Sequence, residues 1–215
     1  MSENKTLRAI DRKIFKTSFE DGLLDIFLAS FVLMFAVAPL LSGRLGDFWS
    51  SFIFLPFWGL VYLILWYLRR KVISPRIGTV KWGEMRKKKL RIGSIIMLIL
   101  NFLFLGLGIF SFLAPIDSGY AMSIRFGVMM LILFSGAGYM LDYAPLYIYG
   151  VLMTMAIPLG EWLYLNVGFT HHGYPAVFGT LAGIMLLHGI YKFFTLVKNI
   201  PVPSEEHPIK EYNHG

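Results

Sequence analysis

Apolar residues in this chain run in long stretches that are nearly free of charge, not in the short periodic patterns of a water-shielded core. Such stretches fall at about 19–41, 51–68, 92–114, 121–141, 146–165 and 175–197. A helix rising 1.5 Å per residue needs roughly 20 apolar residues to cross about 30 Å of hydrocarbon. The pattern therefore predicts an all-α fold, a polytopic membrane helix bundle with six transmembrane helices. Short turns at 43–50, 115–120, 142–145 and 166–174 separate the runs, together with one long polar segment from Arg69 to Arg91. Within residues 1–18, Leu7, Ile10, Ile14 and Phe15 recur at helical spacing among Lys5, Arg8, Arg12, Lys13 and Lys16. That alternation predicts a short interfacial helix lying on the headgroups, and the charge of this segment does not read as a signal peptide. The organisation expected is a cytoplasmic interfacial segment (1–18), a membrane domain (19–197) with a basic loop (69–91), and a flexible tail (198–215).

Composition supports that division. Hydrophobic residues make up 56% of the chain and charged residues 15%, against roughly 45–50% and 25% in soluble domains. The absence of cysteine excludes disulfides, thiolate metal sites and thiol nucleophiles. Of the 20 Lys and Arg residues, all but Arg44 and Arg125 lie in the N-terminal segment, in the 69–91 loop, or from Lys192 onward. Under the positive-inside rule this predicts a multi-pass cell-membrane protein with both termini cytoplasmic. Trp49, Tyr120, Trp162 and Tyr174 would mark the outer interface, and Trp66, Tyr67, Tyr143 and Tyr191 the inner one. The net charge of +7 is then explained by topology and does not call for nucleic acid as a partner.

In the long loop, Pro75 and Gly78 suggest a defined turn between short extended arms. Arg86, Lys87, Lys88 and Lys89 lead directly into the third span, where cations meet anionic headgroups at about 1 kcal/mol each. These four and Arg76 are candidate contacts for anionic lipid or an acidic partner; the simpler reading is that they hold the loop inside. Pro75-Arg76-Ile77-Gly78 with Val80-Lys81, together with Asp21-Gly22-Leu23-Leu24-Asp25-Ile26, resembles a set of small uncharacterised prokaryotic six-span membrane proteins. The resemblance covers the first 90 or so residues. It implies this architecture and a prokaryotic source, and it carries no activity.

Ionisable residues inside a span are expensive and mark candidate sites. By depth, Asp25, His188 and Lys192 form an expected inner group, with Asn101 near the midplane. Arg125 and Glu161 form an expected outer ion pair. The inner group fits a proton- or cation-coupled site, since His titrates near neutrality and a carboxylate can share its proton. The structural alternative is that Lys192 snorkels, Asp25 favours its helix N-terminus and His188 makes one interhelical hydrogen bond. Pro158 invites a kink beside Glu161. Gly179 and Gly183 form a GxxxG face that predicts close packing there, against an internal helix or another subunit. His171 and His172 are adjacent in one loop without ligand spacing, so neither a metal site nor a cofactor is expected.

Ser135-Gly136 and His188-Gly189 also resemble the Ser–His dyad that rhomboid intramembrane proteases place on the same two helices. Leu133 stands where their Gly-x-Ser-Gly pattern has glycine, and Ser135 lies deep. The sequence thus favours a non-enzymatic membrane protein: a small carrier, channel or permease-like component built around Asp25, Asn101 and His188. The alternative is a scaffold or regulatory subunit acting through its basic loop. Expected partners are the bilayer itself, its anionic lipids, and a second copy or another membrane protein.

Overall fold

A computed structural model of the chain describes residues 19–77, 84–113 and 119–201. The expected interfacial helix at 1–18, the centre of the loop motif from Gly78 to Gly83, and most of the expected tail lie outside the described residues. Those described form helices α1 (Leu23–Phe52), α2 (Phe54–Leu68), α3 (Glu84–Leu113), α4 (Gly119–Leu141), α5 (Pro145–Val167) and α6 (Tyr174–Asn199). Among the described residues, six helical segments are long and apolar enough to cross a membrane. The protein is an all-α membrane helix bundle.

Two segments read as non-helical are helical. The 43–50 stretch stays helical on both sides of Gly46, which alone leaves helix geometry at φ 78°, ψ 161°. Only glycine adopts that conformation at little cost. After α2 the chain continues as a π turn over Arg69–Ile73 and a short helix over Ser74–Ile77, where extended arms were expected. Pro75 sits in the first turn of that short helix, the position a helix tolerates. Arg76 Nη1 donates to Val72 O at 2.5 Å.

The most intimate pairings are α1 with α6 and α4 with α5. Contact between α5 and α6 joins the two pairs, while α2 packs on α1 and α3 on α4. In their span windows α2 and α3 are only 6% and 11% buried, so both lie at the periphery with broad apolar faces outward. Each central helix buries one stripe at spacings of three and four residues. On α6 it is Phe178, Leu181, Ala182, Met185 and Gly189. On α5 it includes Leu146, Tyr149, Met153, Ala156 and Gly160. Val32 of α1 meets these stripes; it, Met153 and Met185 are fully enclosed within the core.

Lipid tails are as apolar as the side chains, so helices in a bilayer associate mainly through close van der Waals packing. The closest approach joins Gly22, just before α1, to Gly189 of α6. A Cβ at Gly22 would come 2.2 Å from Gly189 O, and one at Gly189 would come 2.8 Å from Gly22 O. Within this chain the expected GxxxG face is not the tight contact. Gly179 makes only ordinary contact with Ala36, and Gly183 has nothing within 4 Å. Between α4 and α5, Thr154 Oγ1 bonds Gly127 O at 2.9 Å and its own helix at Gly150 O at 2.7 Å. Pro158 lies inside α5, which remains one helix through it.

Candidate functional site

Two polar clusters flank the buried core. One lies at the face where α1 begins and α6 ends, the terminal face. Asp25, in the first turn of α1, is completely buried. Tyr143 Oη donates to its Oδ2 at 2.5 Å, Tyr149 Oη donates to Oδ1 at 2.9 Å, and Lys192 Nζ approaches Oδ2 at 3.4 Å. Lys192 Nζ also donates to Tyr143 Oη at 2.7 Å and lies 4.7 Å from the centre of that ring. Burial and the hydrogen bond to Asp25 hold the Tyr143 phenol well above its ordinary range, so it remains a donor. The arrangement is a relay from ammonium to phenol to carboxylate, with a second phenol on the other oxygen.

Local geometry explains who takes part. Asp142 adopts a left-handed φ of 48°, and Tyr143 N bonds Gly138 O at 3.1 Å. That tight turn between α4 and α5 swings Tyr143 inward, where it is 1% exposed. Sequence reasoning had it as an interface marker and missed Tyr149 altogether. The available signal was that Tyr149 falls on the buried stripe of α5, where a phenol needs a hydrogen-bond partner.

The inner group is joined only in part. Asp25 and Lys192 meet, but His188 lies on an exposed face of α6. Gly189 faces α1, and at about 100° per residue His188 is turned a full quadrant away with a short side chain. Lys192, about 60° around, carries a four-carbon stem that reaches back. Asn101 is exposed on the peripheral α3 and bonds Met97 O of its own helix at 2.8 Å. The polar space expected between spans one, three and six is thus not what the helices build.

The second cluster lies toward the opposite end. Glu161, 8% exposed, pairs with His172, whose Nδ1 lies 3.0 Å from Oε2. The expected partner, Arg125, is exposed on α4. His171–Gly173 form a single 3₁₀ turn in which all three residues have positive φ. The turn presses on α5: a Cβ at Gly173 would lie 2.6 Å from Gly160 O. This contact, which no sequence spacing announced, sets the His172 ring beside Glu161 and 4.5 Å from the Tyr164 ring.

Glu161, His172, Ser123 and Tyr174 rim a cavity of about 420 Å³. Its remaining lining is apolar and largely aromatic, including Phe35, Phe126, Phe178 and Met153. No group of three His, Asp or Glu side chains converges as a metal site among the described residues.

No family model, no curated protein and no solved structure matches the chain. The reading of the site rests on its own geometry.

The remaining candidates separate. Lys89 Nζ donates to Tyr139 O at 2.9 Å, lies 4.4 Å from the Tyr139 ring centre and pairs with Asp142 at 3.7 Å. It ties α3 to the end of α4. Lys87 and Lys88 are exposed at the start of α3. The Arg86 side chain lies outside what is described. Ser135 makes no hydrogen bond to His188, which points out of the bundle, so no dyad forms.

Proposed function

We propose that the protein is a small carrier of permease-like kind, whose solute is an apolar molecule bearing one amine or other cationic group. Glu161 carries this reading: it is a buried carboxylate on the wall of a cavity lined mainly by aromatic and methionine side chains, with Ser123, His172 and Ile157 beside them. Aromatic faces attract cations, and a carboxylate gives the charged head one fixed partner. A cavity of about 420 Å³ lies within the size range of small-molecule sites. Val32, Met153 and Met185 close the bundle between this cavity and the Asp25 relay. Passage requires that layer to part, and two of its three members are flexible thioethers. In this scheme Asp25 and Lys192 form the second charged station. The terminal face is cytoplasmic, in keeping with the Lys and Arg residues gathered there.

The test is uptake of a fluorescent lipophilic cation by liposomes containing the purified protein under an imposed pH gradient. Uptake above protein-free liposomes that is lost in Glu161→Gln supports the carrier. Equal uptake by the variant overturns it.

The exposed Lys87 and Lys88, with the bare apolar faces of α2 and α3, favour a second reading as a scaffold for anionic lipid or a membrane partner. Replacing Arg86, Lys87 and Lys88 with Gln should then reduce binding to anionic vesicles. Unchanged binding removes this reading.

A further inference from the structure

Glu161 reaches the cavity from α5, and its ion-pair partner among the described residues is His172, in the turn that leads into α6. The two side chains differ sharply in access: that of His172 is 54% exposed and that of Glu161 11%. The imidazole therefore stands between the outside of the bundle and a carboxylate held within it. Tyr164 of α5 and Tyr174 of α6 set their rings 4.5 Å and 5.8 Å from the imidazole. From α4 the cavity receives the uncharged hydroxyl of Ser123, and from α1 the ring of Phe35. His171, in the same turn, and Arg125, on α4, are exposed, and neither forms an ion pair with Glu161. Imidazole is the side chain whose charge changes near neutral pH. With His172 as imidazolium the pair carries no net charge.

We infer that His172 makes the carrier an exchanger, in which one proton leaves the imidazolium for each cationic solute that takes its place on Glu161. The inference rests on the carrier reading above and adds its counter-substrate, the proton. Charge decides which fillings of the site are stable. Glu161 alone is a buried carboxylate without a counterion, and solute together with imidazolium sets two cations on one carboxylate. Both leave net charge in a mainly apolar cavity, which is costly. Imidazolium without solute, and solute with neutral imidazole, each balance the carboxylate. Passing from the first to the second breaks one ring N–H bond. The electron pair stays on nitrogen, and the proton goes to water at the exposed side of the ring. Departure of the solute reverses the step. Because the bare carboxylate is the disfavoured state, solute and proton move in opposite directions, one for one, and no net charge crosses the membrane.

The probe is tetraphenylphosphonium, a lipophilic cation with no dissociable proton of its own. Titration calorimetry of the full-length protein in detergent, in two buffers of different ionisation enthalpy, counts the protons released. At about pH 6, binding should release about one proton per cation in the wild type and none in His172→Asn. His171→Asn changes the exposed neighbour at a similar left-handed φ of 53° and should release protons as the wild type does. Cation binding by the wild type without proton release, or release that persists in His172→Asn, overturns the assignment. Nitrogen NMR of the wild-type histidine rings checks it without a variant. One ring should pass from charged to neutral as the cation is added at constant pH, and no change in any ring overturns the inference. Liposomes then separate exchange from transport itself. Uptake beyond that of protein-free liposomes should follow a pH gradient, acid inside, and ignore a potassium diffusion potential. Uptake that follows the potential instead overturns exchange and leaves the carrier standing. Absence of any protein-dependent uptake overturns the carrier, and exchange with it.

Discussion

Tyr143 stands between Asp25 and Lys192: its hydroxyl donates to Asp25 Oδ2 at 2.5 Å and accepts from Lys192 Nζ at 2.7 Å. The hydroxyl does more than fill space beside an ion pair, because the direct Lys192–Asp25 separation is 3.4 Å. Asp25 is completely buried, and a buried charge is tolerated when its partners and hydrogen bonds are complete. Three helices and one turn therefore depend on a single carboxylate.

Removing the members of this relay should have graded effects on thermal unfolding in detergent. Tyr143→Phe deletes the bridge and should cost about 1–3 kcal/mol. Tyr149→Phe removes a single hydrogen bond to the other oxygen and should cost less than Tyr143→Phe. Lys192→Met strands the carboxylate and should cost about 3–5 kcal/mol, much of it recovered by adding Asp25→Asn. Additive losses in the double variant would show that the two charges are not coupled.

Helix packing offers a sharper contrast. Gly22→Ala forces a methyl group to within 2.2 Å of Gly189 O at a backbone φ of +78°. Overpacking alone costs about 1–3 kcal/mol, and the left-handed conformation adds to it. Gly183→Ala meets nothing within 4 Å and should leave the melting temperature unchanged or slightly raised. A large loss at Gly183 with none at Gly22 would restore the GxxxG face as the main contact.

The acid response of Asp21 has a definite sign. Burial raises its carboxyl above the ordinary value of 3.8, outweighing the Leu23 N–H bond and the Arg69 charge. A raised folded-state value favours folding fully below the ordinary value, and that advantage is lost as pH rises through the folded-state one. In detergent, Asp21→Asn should therefore melt higher than the wild type at neutral pH. The gap should narrow toward pH 4. A constant gap across that range would mean that Asp21 does not titrate differently in the folded protein.

Glu161 and His172 should shift cation binding in opposite directions. Glu161→Gln removes the anion and should weaken binding of a lipophilic cation by about tenfold or more. His172→Asn suits the left-handed backbone, φ 54°, and takes away the only side chain seen to pair with Glu161 among the described residues. It should tighten binding. Equilibrium binding of a fluorescent cation in detergent reads both, and changes of the same sign would argue that the pair acts only as a structural tie.

Much of the terminal cluster could be read from residue order. Asp25 opens the first span and Lys192 nears the end of the last, so an even number of crossings puts them at one face. Their meeting needed only depth. Which neighbours complete the site depended on rotation about each helix axis, and depth does not reveal that. His188 is one turn from Lys192 yet points outward, and Arg125 shares a depth with Glu161 yet faces away. Tyr143 lies 118 residues from Asp25, and only the Asp142 turn brings it in.

The run lengths of apolar residues by themselves determined the number of crossings, because bilayer thickness is a local constraint that each segment meets alone. They equally determined that the few polar groups inside would need partners. The tertiary structure decided which partners. The Gly22–Gly189 contact fixes the rotation of α1 against α6, and the His171–Gly173 turn on Gly160 fixes the imidazole beside Glu161. Both are contacts between segments distant or oppositely directed in the chain, set by how closely two backbones approach, and no single segment carries that information.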